Sequence, residues 1–313
     1  MKDLVIGIDI GGTKTRAVLC DARLNVLGRT TRPTPARAGN GAMVDTAADL
    51  ARELMAGADG ALRGVGVGAA GVVDHREGTI LVASDSFVDW AGTPVGRILG
   101  HNLGVPVSVE NDVNAFLAGE VAAGAARGRP NVLGITLGTG VGGAVHLDGR
   151  LVRGAHGAAG EIGHVPGFGD ALCTCGRRGH LETLASGRSI ATRYRERTGS
   201  VADAAQIAQA ARTGDADALA VFADAGMAVG RAIIMVSGMA DPDAVVIGGG
   251  VAQAWDVLEP SITRALVEEP PVGGHPISIA RSGLDSDAVA IGACANALQL
   301  SGVLQPVDAL QLH

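Results

Sequence analysis

Residues 4–19 read Leu-Val-Ile-Gly-Ile-Asp-Ile-Gly-Gly-Thr-Lys-Thr-Arg-Ala-Val-Leu, an apolar strand that turns at Gly11–Thr13 and returns as a second strand. Residues 132–145 read Val-Leu-Gly-Ile-Thr-Leu-Gly-Thr-Gly-Val-Gly-Gly-Ala-Val and repeat this pattern around Gly138–Gly140. Both turns combine glycines with a threonine hydroxyl, so they present backbone N–H groups that phosphate oxygens can approach closely. One such turn in each half of the chain predicts two lobes that hold one polyphosphate.

Composition limits the classes of protein to which the chain can belong. A length of 313 residues is long for one hydrophobic core and favours two lobes. The net charge of −7 argues against bulk attraction to nucleic acid. Asp9 interrupts the first apolar stretch too early for a signal peptide, and we expect no membrane-spanning segment. Four cysteines do not resemble a secreted disulfide framework, so a reducing cytoplasm is the expected compartment.

Short strands alternate with helices in the first half of the chain, and helices dominate the second half. Strands are predicted at 4–10, 15–20, 65–69, 105–109, 132–137, 143–147 and 244–247. Helices are predicted at 42–56, 114–126 and within 184–239, and a loop-rich stretch at about 153–180. This order indicates an α/β protein of two lobes.

Two common nucleotide-binding patterns do not apply here. Gly66-x-Gly68-x-x-Gly71 and Gly138-x-Gly140-x-x-Gly143 match the dinucleotide fingerprint, but extended sequence follows each where that fingerprint needs a helix. The P-loop pattern is absent because Thr13 follows Gly12. The predicted phosphate turns therefore belong to neither class.

The segment Glu110-Asn-Asp-Val-Asn-Ala115 carries the next candidate chemistry. A predicted strand ends at Glu110 and a helix begins just after Asp112, and polar groups at such a strand end face the ligand crevice of α/β proteins. Asn111 or Asp112 could instead simply cap the helix. Asp112 could also accept the proton of a substrate hydroxyl during phosphoryl transfer, a reaction that depends more on orientation than on a strong base. Spacing alone leaves both interpretations open.

Four blocks in one order resemble the ROK family of sugar kinases and repressors. They are Asp9-Ile-Gly-Gly-Thr-Lys-Thr, Glu110-Asn-Asp-Val-Asn-Ala, Leu137-Gly-Thr-Gly-Val-Gly-Gly and Gly160-Glu-Ile-Gly-His164. The resemblance extends from residue 4 to Gly250 and implies the actin-like, duplicated ribonuclease-H fold, with sugar and ATP in a cleft between the lobes. It implies a smaller N-terminal lobe at 1–114, to which 293–313 returns, and a larger lobe at 115–292 with the metal loop and the adenosine segment.

The resemblance also implies a role for each matching residue. Asp112 would be the general base, and Asp9 would lie near the phosphates and their Mg²⁺. The residues that would bind the sugar are Asn111, Asp112, Glu161, His164 and Glu182. The residues that would bind ATP are Gly11, Gly12, Thr13 and Lys14 in one turn, Gly138, Thr139 and Gly140 in the other, and Gly248, Gly249 and Gly250 beside the adenosine. Gly248–Gly250 could also be an ordinary strand-to-helix turn, and Lys14 an ordinary surface charge.

The loop-rich stretch contains a predicted zinc site. His164, Cys173, Cys175 and His180 supply two imidazoles and two thiolates, a complete tetrahedral set that leaves no open position for catalysis. The related family usually has cysteine where this chain has His180, and a metal-free loop with two thiols is the alternative. A structural zinc ion would hold the loop so that Glu161 and Glu182 meet the sugar. His164 would then serve the metal with one ring nitrogen and the sugar with the other.

Three functional hypotheses follow from the resemblance. The first is an ATP-dependent kinase of the 6-hydroxyl of glucose, with N-acetylmannosamine or N-acetylglucosamine as alternative substrates and polyphosphate as an alternative donor. Trp90 and Pro94 fit only loosely the segment that contacts sugar in family glucokinases. The second is a sugar-responsive repressor. The negative net charge argues against it, and so does the first strand at Leu4, because repressors of this family carry an added N-terminal helix-turn-helix domain. The third is a sugar-binding pseudoenzyme, which Asp9, Lys14 and Asp112 argue against. The family resemblance further predicts a homodimer or a dimer of dimers.

Overall fold

The computed structural model describes residues 2–302 and contains two five-stranded sheets and one two-stranded sheet within that range. The strands are β1 (Asp3–Ile10), β2 (Lys14–Asp21), β3 (Val26–Pro33), β4 (Ala61–Ala69), β5 (Val72–Asp74), β6 (Thr79–Val82), β7 (Val107–Asn111), β8 (Val132–Leu137), β9 (Val141–Leu147), β10 (Arg150–Val152), β11 (Ala244–Gly248) and β12 (Ser278–Arg281). The helices are α1 (Asn40–Met55), α2 (Val95–Leu103), α3 (Asp112–Ala123), α4 (Glu182–Ala185), α5 (Gly187–Thr198), α6 (Ala204–Arg212), α7 (Ala216–Ala240), α8 (Trp255–Glu268) and α9 (Ala288–Leu300).

The two large sheets have the same topology. The first has the order β3-β2-β1-β4-β7 and the second β10-β9-β8-β11-β12. In the first sheet, the central strand β1 runs antiparallel to β2 and parallel to β4. In the second sheet, the central strand β8 runs antiparallel to β9 and parallel to β11. The predicted duplicated α/β fold is therefore confirmed.

The chain forms two compact units. Unit 1 contains the described residues up to Gly128, Asp148–Ala159 and the described residues from Gly283 onward, and unit 2 contains Arg129–Leu147 and Gly160–Ser282. The sequence-based division at 114/115 differs from this, because α3 is one continuous helix through that point. Residues 303–313 of the expected returning segment lie outside the described part of the chain.

Each unit has its own aliphatic core. In unit 1, one face of β1 and β4 packs with α1 and α2, and in unit 2, β8 and β11 pack with α7 and α8. Trp90 is completely buried in the unit 1 core and donates its indole N–H to the Ala70 carbonyl at 3.2 Å. Its place is therefore in the core, where its only polar group already has a partner.

The opposite face of the first sheet is covered by α9 at very short range. A Cβ atom on Gly7 of β1 would lie 1.8 Å from the Ala290 carbonyl oxygen, and one on Gly66 of β4 would lie 1.8 Å from that of Ala293. Only glycine permits the helix backbone to approach the strands so closely. These strand glycines therefore have a packing role.

Helix α7 is long and apolar enough to span a membrane by length and composition alone, although we expected no such segment from the sequence. Half of its most apolar window is buried inside the protein. Phe222, Val229 and Ile233 pack into the unit 2 core. Core packing thus accounts for the buried half of this hydrophobic window.

Candidate functional site

The first predicted phosphate turn joins β1 to β2 in unit 1. The Gly11 N–H donates to the Lys14 carbonyl at 3.1 Å, and the Thr34 N–H donates to the Thr13 carbonyl at 3.0 Å. Gly12, Thr13 and Lys14 are exposed. The turn is thus held by its own backbone while its tip stays open to solvent.

Asp9 lies next to this turn, near the end of β1. It pairs in register with Gly68 of β4, which in turn pairs with Glu110 of β7. Paired residues on neighbouring strands face the same side of a sheet, so Asp9 and Glu110 share a face. A Cβ on Gly68 would lie 3.7 Å from the Asp112 Cα, so the start of α3 lies directly over this glycine.

The electrostatic environment of Asp9 is strongly perturbed. Burial, followed by the negative charge of Asp112, raises the pKa of Asp9 to about 7, against the lowering effect of Arg16. Arg16 itself donates to Asp287 at 2.9 Å. Two close carboxylates in a partly desolvated position are the arrangement that a cation would stabilise.

Asn111 caps helix α3, as one of the two sequence interpretations predicted. Its side-chain oxygen accepts from the Val113 N–H at 2.9 Å and the Asn114 N–H at 3.1 Å, and its amide donates to the Gly71 carbonyl at 2.9 Å. Both lone pairs of the Asn111 side-chain oxygen are in use, and one of its two amide N–H groups is bonded to Gly71. In this conformation Asn111 can therefore offer a ligand its one remaining N–H group. Its role in sugar binding stays a prediction.

Asp112 is the first residue of α3, and its carboxylate accepts from the Val113 N–H at 3.0 Å. The positive end of the helix dipole favours a negative charge there. The structure thus brings Asp112, Asp9 and the Gly11–Lys14 turn to one end of the first sheet.

Sequence reasoning missed a partly buried ion pair beside this site. Arg153 donates from Nε to Glu110 Oε2 at 2.6 Å, and the Glu110 side chain is 5% exposed. Glu110 lies in the Glu110–Ala115 segment of the predicted site, but an ion-pair partner 43 residues away gives no sequence signal.

The second predicted phosphate turn joins β8 to β9 in unit 2. The Gly138 N–H donates to the Gly140 carbonyl at 2.9 Å, and the Gly138 carbonyl accepts from the Gly187 N–H at 2.8 Å. A Cβ on Gly249 would lie 2.5 Å from the Leu137 carbonyl oxygen, and φ of Gly249 is +89°. The Gly248–Gly250 segment therefore packs against the start of this turn, and it does form a strand-to-helix connection.

The four predicted zinc ligands come together in unit 2. Their ligand atoms all lie within 4.8 Å of one another. Cys173 Sγ is 3.7 Å from His164 Nδ1, and Cys175 Sγ is 3.3 Å from His180 Nδ1. Tetrahedral zinc with usual Zn–S and Zn–N lengths places sulfur and nitrogen about 3.6 Å apart, so the four side chains fit the metal. Burial raises the pKa of the Cys173 thiol, so metal binding would have to displace its proton.

Glu182 connects the cluster to the second turn. Its carboxylate accepts from the Thr174 hydroxyl at 2.6 Å through Oε1 and from the Val141 N–H at 3.1 Å through Oε2. Glu182 is buried, whereas Glu161 is exposed. Of the two glutamates that were predicted to bind the sugar, one is thus held inside the protein in this conformation.

The fold defines a class of protein: a duplicated α/β fold with a glycine turn in each half is that of the actin-like sugar kinases. The chain belongs to the ROK family, whose family model matches residues 5–299.

Named relatives agree with this class. The chain is 37% identical over 215 residues to a glucokinase of Streptomyces coelicolor, a match that covers 68% of this chain and 66% of that protein. It is 34% identical over 223 residues to an N-acetyl-D-glucosamine kinase of Pectobacterium atrosepticum, which covers 68% and 72%. A crystal structure of a ROK family glucokinase from Streptomyces griseus in complex with glucose and AMPPNP superimposes with a TM-score of 0.82 at 31% identity, covering 95% of this chain and 99% of that one.

Proposed function

We propose that the chain is an ATP-dependent kinase of the 6-hydroxyl of a hexose, and that the hexose is glucose. The observation that carries the proposal is the arrangement of Asp112, Asp9 and the open Gly11–Lys14 turn at one end of the first sheet. The glucokinase relatives support the reaction and the sugar.

Asp112 is assigned the role of general base. Its position at the start of α3 fixes its backbone, and phosphoryl transfer depends mainly on positioning and charge stabilisation. The Asp112 carboxylate would accept the proton of the 6-hydroxyl as that oxygen attacks the terminal phosphorus of ATP, while the bond from this phosphorus to ADP breaks and ADP leaves. Asn111, Glu161, His164 and Glu182 are assigned to hold the sugar.

The two glycine turns are assigned to the phosphates of ATP, and Gly248–Gly250 to its adenosine. Mg²⁺, when bound, would neutralise phosphate charge. Asp9 would hold it, with Lys14 nearby as a second positive group. Ionised Asp9 is costly beside Asp112, which fits a position that a cation occupies in the working enzyme.

The cluster of His164, Cys173, Cys175 and His180 is assigned to a structural zinc ion. Nδ1 of each histidine faces a thiol, so Nε2 of His164 remains for the sugar. Metal binding and sugar binding would therefore be coupled through one imidazole ring. A cytoplasmic location and a homodimer complete the proposal.

The decisive experiment is a substrate panel. Purified protein is assayed with glucose, mannose, N-acetylglucosamine and N-acetylmannosamine, each with ATP or polyphosphate, and ³¹P NMR identifies the product. We expect glucose 6-phosphate with ATP at the highest kcat/KM. A higher kcat/KM for an N-acetylhexosamine would reassign the substrate, because that class has a relative at 34% identity. Absence of any sugar phosphate, together with sugar-dependent DNA binding, would replace the kinase by the repressor hypothesis.

A further inference from the structure

The ion pair of Glu110 and Arg153 lies directly beside the proposed catalytic residues, yet it belongs to none of the assigned groups. Glu110 immediately precedes Asn111 and Asp112 at the end of β7. Its ion pair with Arg153 is 2.6 Å long and nearly buried on the glutamate side. We propose that Arg153 is a positioning residue, which orients Asn111 and Asp112 through Glu110.

The second carboxylate oxygen of Glu110 makes the connection to the site. Oε1 accepts from the Asn111 backbone N–H at 3.2 Å and from the side-chain amide of Asn114 at 3.0 Å. Asn114 lies in the first turn of α3 and is itself buried. One carboxylate therefore contacts both the residue before Asp112 and the helix turn after it, while Arg153 fixes its other oxygen.

Arg153 is held in place from its own side as well. Its carbonyl accepts from the Ala159 N–H at 3.2 Å, which closes residues 153–159 into a compact loop. Gly157 in this loop has φ of +76°, and a Cβ there would lie 2.8 Å from the Val73 carbonyl oxygen. The loop thus packs on the β5 strand, next to Gly71, whose carbonyl accepts from Asn111. The pair therefore connects three segments of unit 1 around Asn111.

Arg153 must carry its positive charge to hold the Glu110 carboxylate in this orientation, and the packing of its side chain alone is not enough. A buried carboxylate without a cation is costly, so it must turn towards water or find another donor. Either movement of Glu110 would release the Asn111 N–H and the Asn114 amide. The expected consequence is misorientation of Asp112, which lowers the rate of the chemical step more than the affinity for ligands.

The test compares Arg153→Met and Arg153→Lys with Arg63→Met, a matched control that breaks the equally short but exposed pair of Arg63 and Asp3. Since the inference rests on the proposed kinase function, kcat, KM for ATP and hexose Kd by calorimetry are measured. We expect kcat to fall at least tenfold in Arg153→Met, with ATP KM within threefold of wild type and with hexose Kd raised by a smaller factor than the fall in kcat. Arg153→Lys should regain part of kcat, and Arg63→Met should match wild type.

A double-mutant comparison identifies the route of the effect. In a Glu110→Gln background, Arg153→Met should change kcat by less than threefold, because the interaction is already lost. An equal loss of kcat with and without Glu110 would overturn the proposal. So would a lowered Tm with unchanged kcat, because that result describes a purely structural pair.

Hydrogen exchange separates this inference from the proposed function. Amide exchange at residues 108–116 should accelerate in Arg153→Met and not in Arg63→Met. If wild-type protein phosphorylates no hexose, the proposed function fails, and the exchange rates still decide whether Arg153 orders this segment. Unchanged exchange would refute the positioning role whatever the activity.

Discussion

Asp9 and Asp112 lie close enough that the charge of Asp112, after burial, contributes to raising the pKa of Asp9 to about 7. The two residues are separated by 103 positions in the chain. They come near each other because β4 brings β1 and β7 into one register and because Gly68, which has no side chain, lets the start of α3 pack directly over the strands. Ionisation of Asp9 beside the charged Asp112 therefore destabilises the folded unit 1.

Replacement of Asp9 by Asn should stabilise the ligand-free protein while abolishing the proposed activity. The folded-state pKa of Asp9 is raised from 3.8, so the folded protein resists an ionisation that the unfolded chain undergoes freely. The resulting destabilisation develops as pH rises from about 4 to about 7 and is complete above pH 7. The gain in Tm, on the order of a few degrees, should thus be largest above pH 7 and vanish near pH 4.

Thermal unfolding of both proteins from pH 4 to pH 8 measures this difference. Asp45→Asn, an exposed change on α1, serves as the control and should give a flat Tm difference. A Tm gain for Asp9→Asn that is independent of pH would contradict the electrostatic explanation.

Asp112→Asn should remove catalysis and spare binding. The amide keeps the shape of the carboxylate but cannot accept the hydroxyl proton, and loss of a general base costs roughly 10²–10⁴ in rate. Steady-state kinetics should show that loss in kcat, while calorimetry shows hexose Kd within about threefold of wild type. Turnover near the wild-type value would remove Asp112 from the proposed role.

Metal removal should affect both stability and sugar affinity. We expect one zinc ion per chain by elemental analysis, and after chelation a lower Tm together with a higher hexose KM, because His164 belongs to both proposed sites. Cys175→Ser should lower the zinc content, whereas exposed His101→Ala should not. A metal-free protein with unchanged hexose KM would disprove the coupling.

Gly249→Ala and Gly250→Ala should separate folding from nucleotide binding at neighbouring positions. A Cβ on Gly249 meets the Leu137 carbonyl at 2.5 Å and requires an unfavourable positive φ, whereas one on Gly250 meets nothing within 4 Å. We expect Gly249→Ala to lower Tm, and Gly250→Ala to leave Tm unchanged but raise ATP KM by steric contact with the adenosine. Equal ATP KM values in Gly250→Ala and wild type would argue against the adenosine assignment.

The contact of α3 with α9 should tolerate no added methyl group. A Cβ on Gly292 would lie 1.8 Å from the Ala115 carbonyl oxygen, so Gly292→Ala should destabilise by about 1–3 kcal/mol or more. Gly238→Ala, at an exposed position in α7 without neighbours within 4 Å, should instead stabilise by about 0.5–1 kcal/mol. Urea unfolding of the two variants measures these opposite signs, and a neutral Gly292→Ala would show that the helices can separate at little cost.

Patterns within short stretches of the sequence predicted several strands and turns of the fold and the residues of the candidate metal cluster. The two strand–turn–strand segments, the Cys-x-Cys loop and the strand ending at Glu110 each carry their signal within about 20 residues, where periodicity and ligand spacing are directly readable. The capping role of Asn111 remained one of two interpretations, because capping and ligand binding favour the same residue types at that point.

The sequence by itself predicted an α/β protein with a repeated strand–turn–strand segment, and it predicted the four side chains of the candidate metal cluster, since hydrophobic periodicity and residue chemistry are local properties. Only the tertiary structure decided that the charge of Asp112 raises the pKa of Asp9, that Glu182 is held between Thr174 and Val141, and that Arg153 pairs with Glu110. Each of these depends on strand register and on the close approaches that glycine permits, which join residues far apart in the chain. Charge and burial at such meeting points are properties of the folded chain.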